Sequence, residues 1–473
     1  MNRCRQLAAA SAALLATACS LAPTTSLPAP PIPATWPTGD AYLAQSEAAL
    51  PAVTYSDVFR DPRLQTIIGE ALANNRDLRI AYANLAAARA QIGVVRARQF
   101  PAVSASAGVT ATDTGTSNGS VRYALQGGVS AFELDLFGRL ANATAAQRDR
   151  AFASEAAART VRTALIADIA QAWATYAADR DLLAIAQETA ANAREGVRLT
   201  GLRLQGGIAP RTDLSQAQQI LAGAEQAIAE QTAALAQDVN LLRLLVGAEV
   251  DPALLPEGLN AVAPSFAALP AGLDSRVLLR RPDVIQAEFL LRAANADIGV
   301  ARAALFPSLS LTGLLGLAST ALGSLFDSAA FTASAGGNLG YTLFDAGGRR
   351  AGVAVSEAQR DAALASYERA IQTAFRETAD ALADQAALAA RQRAASENAA
   401  AARTSARLAE ARYRNGIDSF LVRLIAEREL FAARQRLVGV TLDEAANRAT
   451  LYRVLGAEMA APSPPSRPVE NGD

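Results

Sequence analysis

The sequence predicts an α+β membrane protein, in which an oligomeric transmembrane β-barrel with four strands per chain is continued by a long α-helical barrel. Three observations predict this fold. They are a duplicated helix-to-strand unit, alternating runs of about ten residues, and two helical stretches far longer than the helices of globular domains. The duplication organises the rest of the chain.

The duplicated unit is a helix that turns into a strand at a Phe-Pro pair. One copy runs from Ile92 to Gly108 and the other from Ile298 to Gly313, with Ile, Gly, Val, Arg, Ala, Phe and Pro in the same register. Proline cannot continue a helix, and it pushes the preceding residue into an extended conformation. The chain therefore contains two helix-to-strand units of the same kind.

The composition excludes several classes of function. The 473 residues include 44 basic and 45 acidic side chains, for a net charge of −1, and no histidine. The chain has no excess of positive charge of the kind that binds nucleic acid, which argues against a nucleic-acid partner. Without histidine there is no Ser-His-Asp or Cys-His catalysis and no histidine-ligated metal, so we expect no catalytic site, metal or cofactor. Glu133 and Asp135 are expected to satisfy local turns and helix N-termini rather than to form a catalytic pair.

Residues 1–18 have the pattern of a secretory signal peptide, with a basic start, the short apolar run Leu7–Ala16 and small residues before Cys19. The apolar run is too short to span a bilayer. The pattern resembles a bacterial lipoprotein motif, which predicts a covalent N-terminal lipid on Cys19. An ordinary signal peptide cut near Ala18 is the alternative. Ser20 resembles the signal that sorts lipoproteins to the outer membrane.

Two predicted hairpins, 101–134 and 307–344, alternate apolar with small or polar residues. The apolar row of the first is Val103, Ala105, Ala107, Val109, Ala111, Val121, Tyr123, Leu125, Gly127, Val129 and Ala131. That of the second is Leu309, Leu311, Phe331, Ala333, Ala335, Gly337, Leu339, Tyr341 and Leu343. Strands of about ten residues suit a membrane-spanning barrel, although a soluble sheet with one solvated face would alternate in the same way.

The helices decide between these alternatives. The stretch from Arg139 to Gln205 has no proline and no turn cluster, and the stretch from Arg349 to Arg414 matches it. At 1.5 Å per residue each would be roughly 100 Å long, which is the length of a coiled-coil or tubular helix. Each ends at a glycine turn and returns as a second helix, so the unit is a helix, a hairpin of strands and a long helical hairpin, used twice.

These patterns divide the chain into six segments. They are a signal peptide (1–18), an extended arm (19–60), repeat 1 (61–249, with helical hairpin 139–246), a connector (250–274), repeat 2 (275–459, with helical hairpin 349–456) and a disordered tail (460–473). Four strands cannot close a membrane barrel, whose minimum is about eight, and open strand edges are not tolerated in lipid. Further copies of the chain must close the barrel, with eight strands in a dimer or twelve in a trimer.

Five motifs, in this order, carry a resemblance to a known family. They are Phe132-Glu-Leu-Asp-Leu-Phe-Gly-Arg139, Arg280-Arg-Pro-Asp-Val284, Ala293-Ala-Asn-Ala-Asp-Ile-Gly-Val-Ala-Arg302, Phe306-Pro-Ser-Leu-Ser-Leu-Thr312 and Leu343-Phe-Asp-Ala-Gly-Gly-Arg349. From about Asp57 to Gly456 the chain resembles the TolC-like outer-membrane efflux proteins, most closely the OprM/NodT-type lipoprotein subfamily. The resemblance implies a homotrimer with a twelve-stranded barrel, an α-helical barrel and an equatorial belt.

The resemblance further implies partners and a binding surface. Such proteins form the exit tunnel of a tripartite pump, with a periplasmic adaptor and an inner-membrane transporter. The glycine turns at Gly207 and Gly416 are where they close their periplasmic end and contact the adaptor, here with Arg412 and Tyr413.

Two aspartates are candidates for the periplasmic aperture, by the same resemblance. Asp418 lies where OprM-like members carry an aperture aspartate, and Asp213 lies where TolC carries one. Three-fold symmetry would turn each into a ring that favours cations. Arg211 and Arg423 are expected to pair with the aspartates and latch the closed state. A helix N-cap is the alternative role for Asp213, and Ile425 stands where many relatives have a further aspartate.

The predicted function is a passive outer-membrane duct, through which an efflux pump expels small toxic compounds or drugs from the periplasm. The protein would be lipid-anchored and membrane-spanning, with its helical barrel in the periplasm. An outer-membrane duct for protein or peptide secretion is an alternative within the same class. A trimeric structural stalk or adhesin is an alternative of another class, which the two internal hairpins per chain disfavour.

Overall fold

The computed structural model describes residues 21–23, 31–32, 54–113, 120–267 and 275–456. The predicted signal peptide, Cys19, most of the predicted arm and the tail 460–473 lie outside the described residues. In chain order the elements are α1 (Tyr55–Val58), α2 (Pro62–Asn74), α3 (Arg76–Ala97), β1 (Val103–Thr112), β2 (Ser120–Leu134), α4 (Arg139–Gln205), α5 (Arg211–Val246), α6 (Leu259–Val262), α7 (Pro282–Ala303), β3 (Ser308–Ser319), β4 (Phe331–Gly340), α8 (Gly348–Arg414) and α9 (Phe420–Val454). Short 3-10 turns lie at Pro252–Leu254, Ala263–Ser265, Ser275–Arg280, Leu322–Ser324 and Ser328–Ala330.

The chain forms two units. The first comprises residues 1–30, 82–157 and 285–370, and it contains the β-sheet. The second comprises residues 31–81, 158–284 and 371–473, and it contains the turns that end the long helices.

The sheet of the first unit has four antiparallel strands in the order β1-β2-β3-β4. Its register aligns the predicted apolar rows, because Val103 pairs with Val129, Leu125 with Leu317, and Leu317 with Phe331. Paired residues share one face of a sheet, so the aligned apolar rows lie on the same face, whereas Leu314, which pairs with Gly128 and Ser334, lies on the other. The strands β1 and β4 are the two edges, which is where further copies of the chain must pair.

A β-bulge in β2 corrects the predicted alternation. The register with β3 shifts between Val129 and Phe132, at the non-glycine residue Ala131, whose φ is 54°. The backbone N–H of Ala131 donates to the Thr312 hydroxyl at 3.2 Å. The prediction of Ala131 in the apolar row is therefore wrong. The extra residue moves Phe132 into that row, where it pairs with Leu311.

Two long helices form where they were predicted: α4 has the predicted bounds, and α8 begins at Gly348, one residue before the predicted Arg349. Both α4 and α8 contain 67 residues. Their alanine-rich sequences have high helix propensity and contain no proline. Among the described residues, no helix is both long enough and apolar enough to cross a membrane.

The hydrophobic core of the second unit is assembled from α2, α4, α5 and α9 together with the segment 250–266. Trp173 is fully buried in it, and its indole N–H donates to the carbonyl of Leu254 at 3.0 Å. Phe59 packs edge-on against Phe266 and Tyr452, with ring centroids 5.0 and 5.3 Å away. Such edge-to-face aromatic packing fixes Phe59, directly after α1, against α9.

A pair of carboxyl groups joins α4 to α5 in the second unit. The carboxyl groups of Asp179 and Asp238 are half-buried and close enough for each to shift the pKa of the other. Burial and the neighbouring Asp179 carboxyl raise the pKa of Asp238 to about 7 from 3.8. Like charges in close contact cannot both ionise cheaply, so the pair shares a proton at neutral pH.

We expect Asp238→Asn to flatten the pH dependence of thermal stability. The carboxyl of Asp238 has a higher pKa in the folded chain than in the unfolded chain. The folded chain therefore loses stability as pH rises from about 4 to about 7, because the carboxyl ionises more readily in the unfolded chain. The amide cannot ionise, so the variant should gain stability relative to the wild type at pH 8 and little at pH 4. The melting temperature of the purified protein at both values measures this. Glu225→Gln on the same helix, an exposed residue paired with Arg194 at 3.0 Å, is the control. An unchanged pH slope in Asp238→Asn would contradict the shared proton.

Candidate functional site

The two turns that end the long helices have the same geometry. Gly207 and Gly416 have φ of 74° and 71°, the left-handed conformation that glycine adopts without strain. In each turn the N–H of the following isoleucine donates to a carbonyl five residues earlier, at 2.9 Å, as in a Schellman motif. The turns therefore present Ile208 and Ile417 to solvent, 77% and 63% exposed.

Asp418 is held by an arginine of the preceding helix. Nε and Nη2 of Arg412 donate to the two oxygens of its carboxylate, at 2.7 and 2.9 Å. This hydrogen-bonded pair holds the pKa of Asp418 below its usual range. The carboxylate is thus ionised and positioned at the turn, and within the chain its partner is Arg412 rather than the predicted Arg211 or Arg423.

Arg423 instead forms a buried cluster with two glutamates. Its side chain is only 10% exposed, pairs with Glu427 at 2.9 Å, and contacts the carboxylate of Glu410. Burial raises the pKa of Glu427, against the opposing effect of Arg423. The pairing predicted between Arg423 and an aspartate is therefore not the one in this structure. Glu427 follows Arg423 by one helical turn on the same face, which the sequence could have indicated.

Tyr413 lies between two guanidinium groups. Arg203, from the end of α4, donates to its hydroxyl and stacks 4.8 Å from the ring centre, and Arg423 lies 5.5 Å from the same ring. Both distances are within the range of cation–π attraction. The tyrosine thus connects the end of one long helix with the end of the other. Sequence reasoning predicted Tyr413 at this turn but missed Arg203 and Glu410.

A small apolar core lies beneath this polar network. Ala217, Phe420 and Leu424 are buried together, and Phe420 packs against the ring of Tyr413 at 5.6 Å. Farther along the helices, Arg434 of α9 pairs with Glu188 of α4 at 2.7 Å beside a cavity of about 450 Å³. The two helical hairpins are therefore bound to each other by apolar and charged contacts near their turns.

Asp213 and Arg211 lie in the first turn of α5. The N-cap of this helix is Pro210, and Asp213 is its third residue. The N-cap role considered for Asp213 is therefore wrong. A carboxylate in the first helical turn is still stabilised by the helix dipole.

The predicted local roles of Glu133 and Asp135 are confirmed in the first unit. Glu133 accepts from Arg139 at 2.8 Å, and Asp135 accepts from the backbone N–H of Ala141 at 2.7 Å, in the first turn of α4. These carboxylates stabilise the strand-to-helix junction.

Comparison with known proteins identifies the family. The family model described as outer membrane efflux protein matches residues 67–248 and 273–457, which correspond to the two predicted repeats. The chain belongs to this family. It is 40% identical over 447 residues to the probable efflux pump outer membrane protein TtgC of Pseudomonas putida, covering 93% of this chain and 92% of TtgC. It is 35% identical over 447 residues to the cation efflux system protein CusC of Escherichia coli, covering 94% and 97%.

Solved structures of outer-membrane efflux proteins have the same fold. A CusC structure superposes with a TM-score of 0.83 at 34% identity, covering 93% of this chain and 100% of CusC. The open state of the MtrE outer membrane channel of Neisseria gonorrhoeae gives 0.84 at 31% identity, covering 93% and 98%. The predicted fold class, a trimeric transmembrane β-barrel of four strands per protomer continued by an α-helical barrel, is confirmed. So are the outer-membrane location and the function of an efflux channel. The family is one of channels, not of enzymes.

Proposed function

We propose that this outer-membrane efflux channel is the passive exit duct of a tripartite pump, in which a periplasmic adaptor and an inner-membrane transporter deliver small organic toxins. Relatives with 38% to 40% identity are named for efflux of toluene, solvents or antibiotics, and those with 34% to 35% identity for efflux of cations. The higher identity favours organic compounds as cargo. The observation that carries the proposal is the pair of matched turns, the second of which holds the ionised carboxylate of Asp418 in place.

The aperture of the duct is proposed to lie at these turns. In a trimer, Asp418 and Asp213 would each form a ring of three carboxylates, which favours cations over anions in a constriction. The bidentate pair with Arg412 would keep the Asp418 ring charged and in place. A purified trimer in a planar bilayer should therefore show small, cation-selective conductance.

The contact between Arg203 and Tyr413 is proposed to hold the aperture closed. It connects the two helical hairpins of one chain at their ends, and Arg423, from the same hairpin as Tyr413, contacts the same ring. Separation of the hairpins would break a hydrogen bond from a charged group and one cation–π contact, both between Arg203 and Tyr413. Hydrogen bonds of this kind contribute about 1.5–3 kcal/mol.

We expect Arg203→Ala to raise resting single-channel conductance, because loss of this contact shifts the balance of closed and open hairpins roughly tenfold. Asp418→Ala should also raise conductance and reduce cation selectivity. The measurement is planar-bilayer recording of the purified trimer. Glu195→Gln is the matched control, since it removes an exposed ion pair with Arg198 within α4 alone. Wild-type conductance in both Arg203→Ala and Asp418→Ala would remove these residues from the gate.

The turns are also the proposed adaptor-binding surface. Gly207 and Gly416 hold the exposed isoleucines at the extreme of each turn, with Arg412 and Tyr413 directly behind the second. Apolar tips flanked by charge suit docking onto a partner with a complementary helical hairpin. Susceptibility of a deletion strain to toluene and antibiotics, restored by the wild-type gene, tests the efflux role. Restored secretion of a protein with unchanged drug susceptibility would support the alternative duct for proteins.

Cys19 is the proposed site of the covalent lipid. All 44 basic residues of the chain are arginine, so without lysine the only primary amine of the mature protein is its N-terminus. We expect an amine-reactive reagent to leave the mature wild-type protein unlabelled, because acylation of Cys19 blocks that amine. Cys19→Ser, cut as an ordinary secreted protein, should take up one label by mass spectrometry. Labelling of the wild type would contradict N-acylation.

A further inference from the structure

The described residues 21–23 lie against the first unit. The side-chain amide of Asn295, on α7, donates to the carbonyl of Pro23 at 2.7 Å. Together with Ala22, these residues line a cavity of about 530 Å³, with Asn142 and Arg292 on its walls. The segment is therefore bound through its backbone at a cleft between α7 and the start of α4.

Gly299 makes this close approach possible. A Cβ at this position would lie 2.6 Å from the side-chain nitrogen of Asn142 and 2.9 Å from the Cβ of Ala22. Real Cβ atoms do not approach other atoms so closely, so any other residue would have to displace Asn142 or the bound segment. Glycine therefore allows Asn142 and Ala22 to lie where they do.

The other copy of the repeat provides an internal comparison. Gly93 corresponds to Gly299, and no atom of the described residues lies within 4 Å of the Cβ that would be added there. Arg89 corresponds to Asn295, and its side chain pairs with Glu155 of α4 at 2.8 Å. The same helical motif therefore binds a segment of chain in the second repeat and forms an ion pair in the first.

We propose that Asn295, Gly299 and Asn142 form a binding cleft for the segment that directly follows Cys19. By holding this segment, the cleft fixes the position along the first unit at which the lipid anchor leaves the protein. Three residues of extended chain span at most about 11 Å, which limits how far from Ala22 an anchor on Cys19 can be. Gly299 is about 6 Å from the end of α7, beyond which the chain enters the membrane-spanning sheet at Ser308. A lipid on Cys19 would thus enter the bilayer beside the barrel. The part of this inference that concerns the lipid rests on the proposed acylation.

The test is electron paramagnetic resonance of a nitroxide attached to Pro23→Cys in the full-length, exported trimer. In the otherwise wild-type protein we expect an immobilised spectrum. Asn295→Asp keeps the side-chain shape but removes the donor, and we expect it to raise the ratio of mobile to immobile label about three- to tenfold. Gly299→Ala should raise it further. Gly93→Ala, the matched control from the first repeat, should leave the spectrum unchanged.

Two results would overturn the cleft. One is an unchanged spectrum in both Asn295→Asp and Gly299→Ala, and the other is an equal gain of mobility in Gly93→Ala. If Gly299→Ala does not assemble, Asn295→Asp alone decides. Mass spectrometry of the labelled chain separates the cleft from the lipid, because an acylated Cys19 leaves one labelled thiol and a free Cys19 gives two. An immobilised spectrum together with two labelled thiols would support the binding cleft and contradict the lipid on Cys19.

Discussion

Replacement of Gly128 by alanine is expected to abolish the heat-stable trimer and, with it, all conductance. Gly128 lies in β2 beside the bulge, with φ of 151°. An added Cβ would lie 2.1 Å from the carbonyl oxygen of Gly313 and 2.9 Å from the Cα of Leu314, both on the neighbouring strand. Because these are backbone atoms, no side-chain rotation relieves the overlap, and β2 must separate from β3.

Separation of β2 from β3 is expected to cost much free energy because both strands lie in the membrane-spanning sheet. A residue forced into this backbone region costs about 1–3 kcal/mol before any overlap is counted. Unpaired amides in the hydrocarbon of a bilayer cost several kcal/mol each. A sheet opened at its central strand pair therefore cannot be accommodated by small shifts, as it could be in water.

The mobility of unheated protein on denaturing gels measures the trimer, and planar-bilayer recording measures the channel. Gly108→Ala is the matched control, since it lies in β1 and, in the part of the chain that the structure describes, no atom comes within 4 Å of its added Cβ. It should assemble and conduct like the wild type. A heat-stable, conducting trimer of Gly128→Ala would show that β2 can move its bulge to another position.

The strands were predictable from the sequence, but their bulge was not. Alternation with period two predicted both hairpins and the apolar face, because each side chain of a strand must face lipid or lumen. In the sequence, the only sign of the bulge is that the apolar side chains move from odd-numbered positions, up to Val129, to the even-numbered positions Phe132 and Leu134. The small residues Gly127 and Ala131 fit either face, so the apolar pattern hides the shift until strand pairing is known.

The functional turns show a similar division. Their positions followed from glycines that end long proline-free helices, and Gly207 and Gly416 occupy them as left-handed residues. The partners of their charged residues did not follow. Contacts such as Arg203 with Tyr413 depend on how helices 210 residues apart are rotated and aligned. One sequence does not contain this information, because several arginines lie within reach of each carboxylate.

Arg281 explains a motif whose role the sequence left open. It belongs to the Arg-Arg-Pro-Asp-Val segment, and its side chain is only 6% exposed. The guanidinium pairs with Asp283 at 2.7 Å and Glu377 at 2.9 Å, and it donates to the carbonyl of Val454 at 3.0 Å. Although burial opposes it, these carboxylates raise the pKa of Arg281. One side chain thus joins the start of α7 to α8 and to the last residue of α9.

Arg281→Met is expected to lower the free energy of unfolding by about 3 kcal/mol, at the low end for a broken buried ion pair, because it leaves two half-buried carboxylates without their cation. Thermal unfolding of the purified trimer, followed by circular dichroism, measures the loss. Arg280→Met, at the exposed neighbouring position, is the control and should change stability little. Equal melting temperatures for the two variants would contradict a structural role for the ion pairs of Arg281 with Asp283 and Glu377.

A second substitution separates the two causes of this loss. If the loss comes from the carboxylates left without a cation, Glu377→Gln added to Arg281→Met should restore part of it, because the amide removes one uncompensated charge. If it comes instead from the unbonded carbonyl of Val454, at the end of α9, the double variant should be no more stable than Arg281→Met. Recovery would identify Arg281 as a charge partner that the fold requires only because two acids point at the same site.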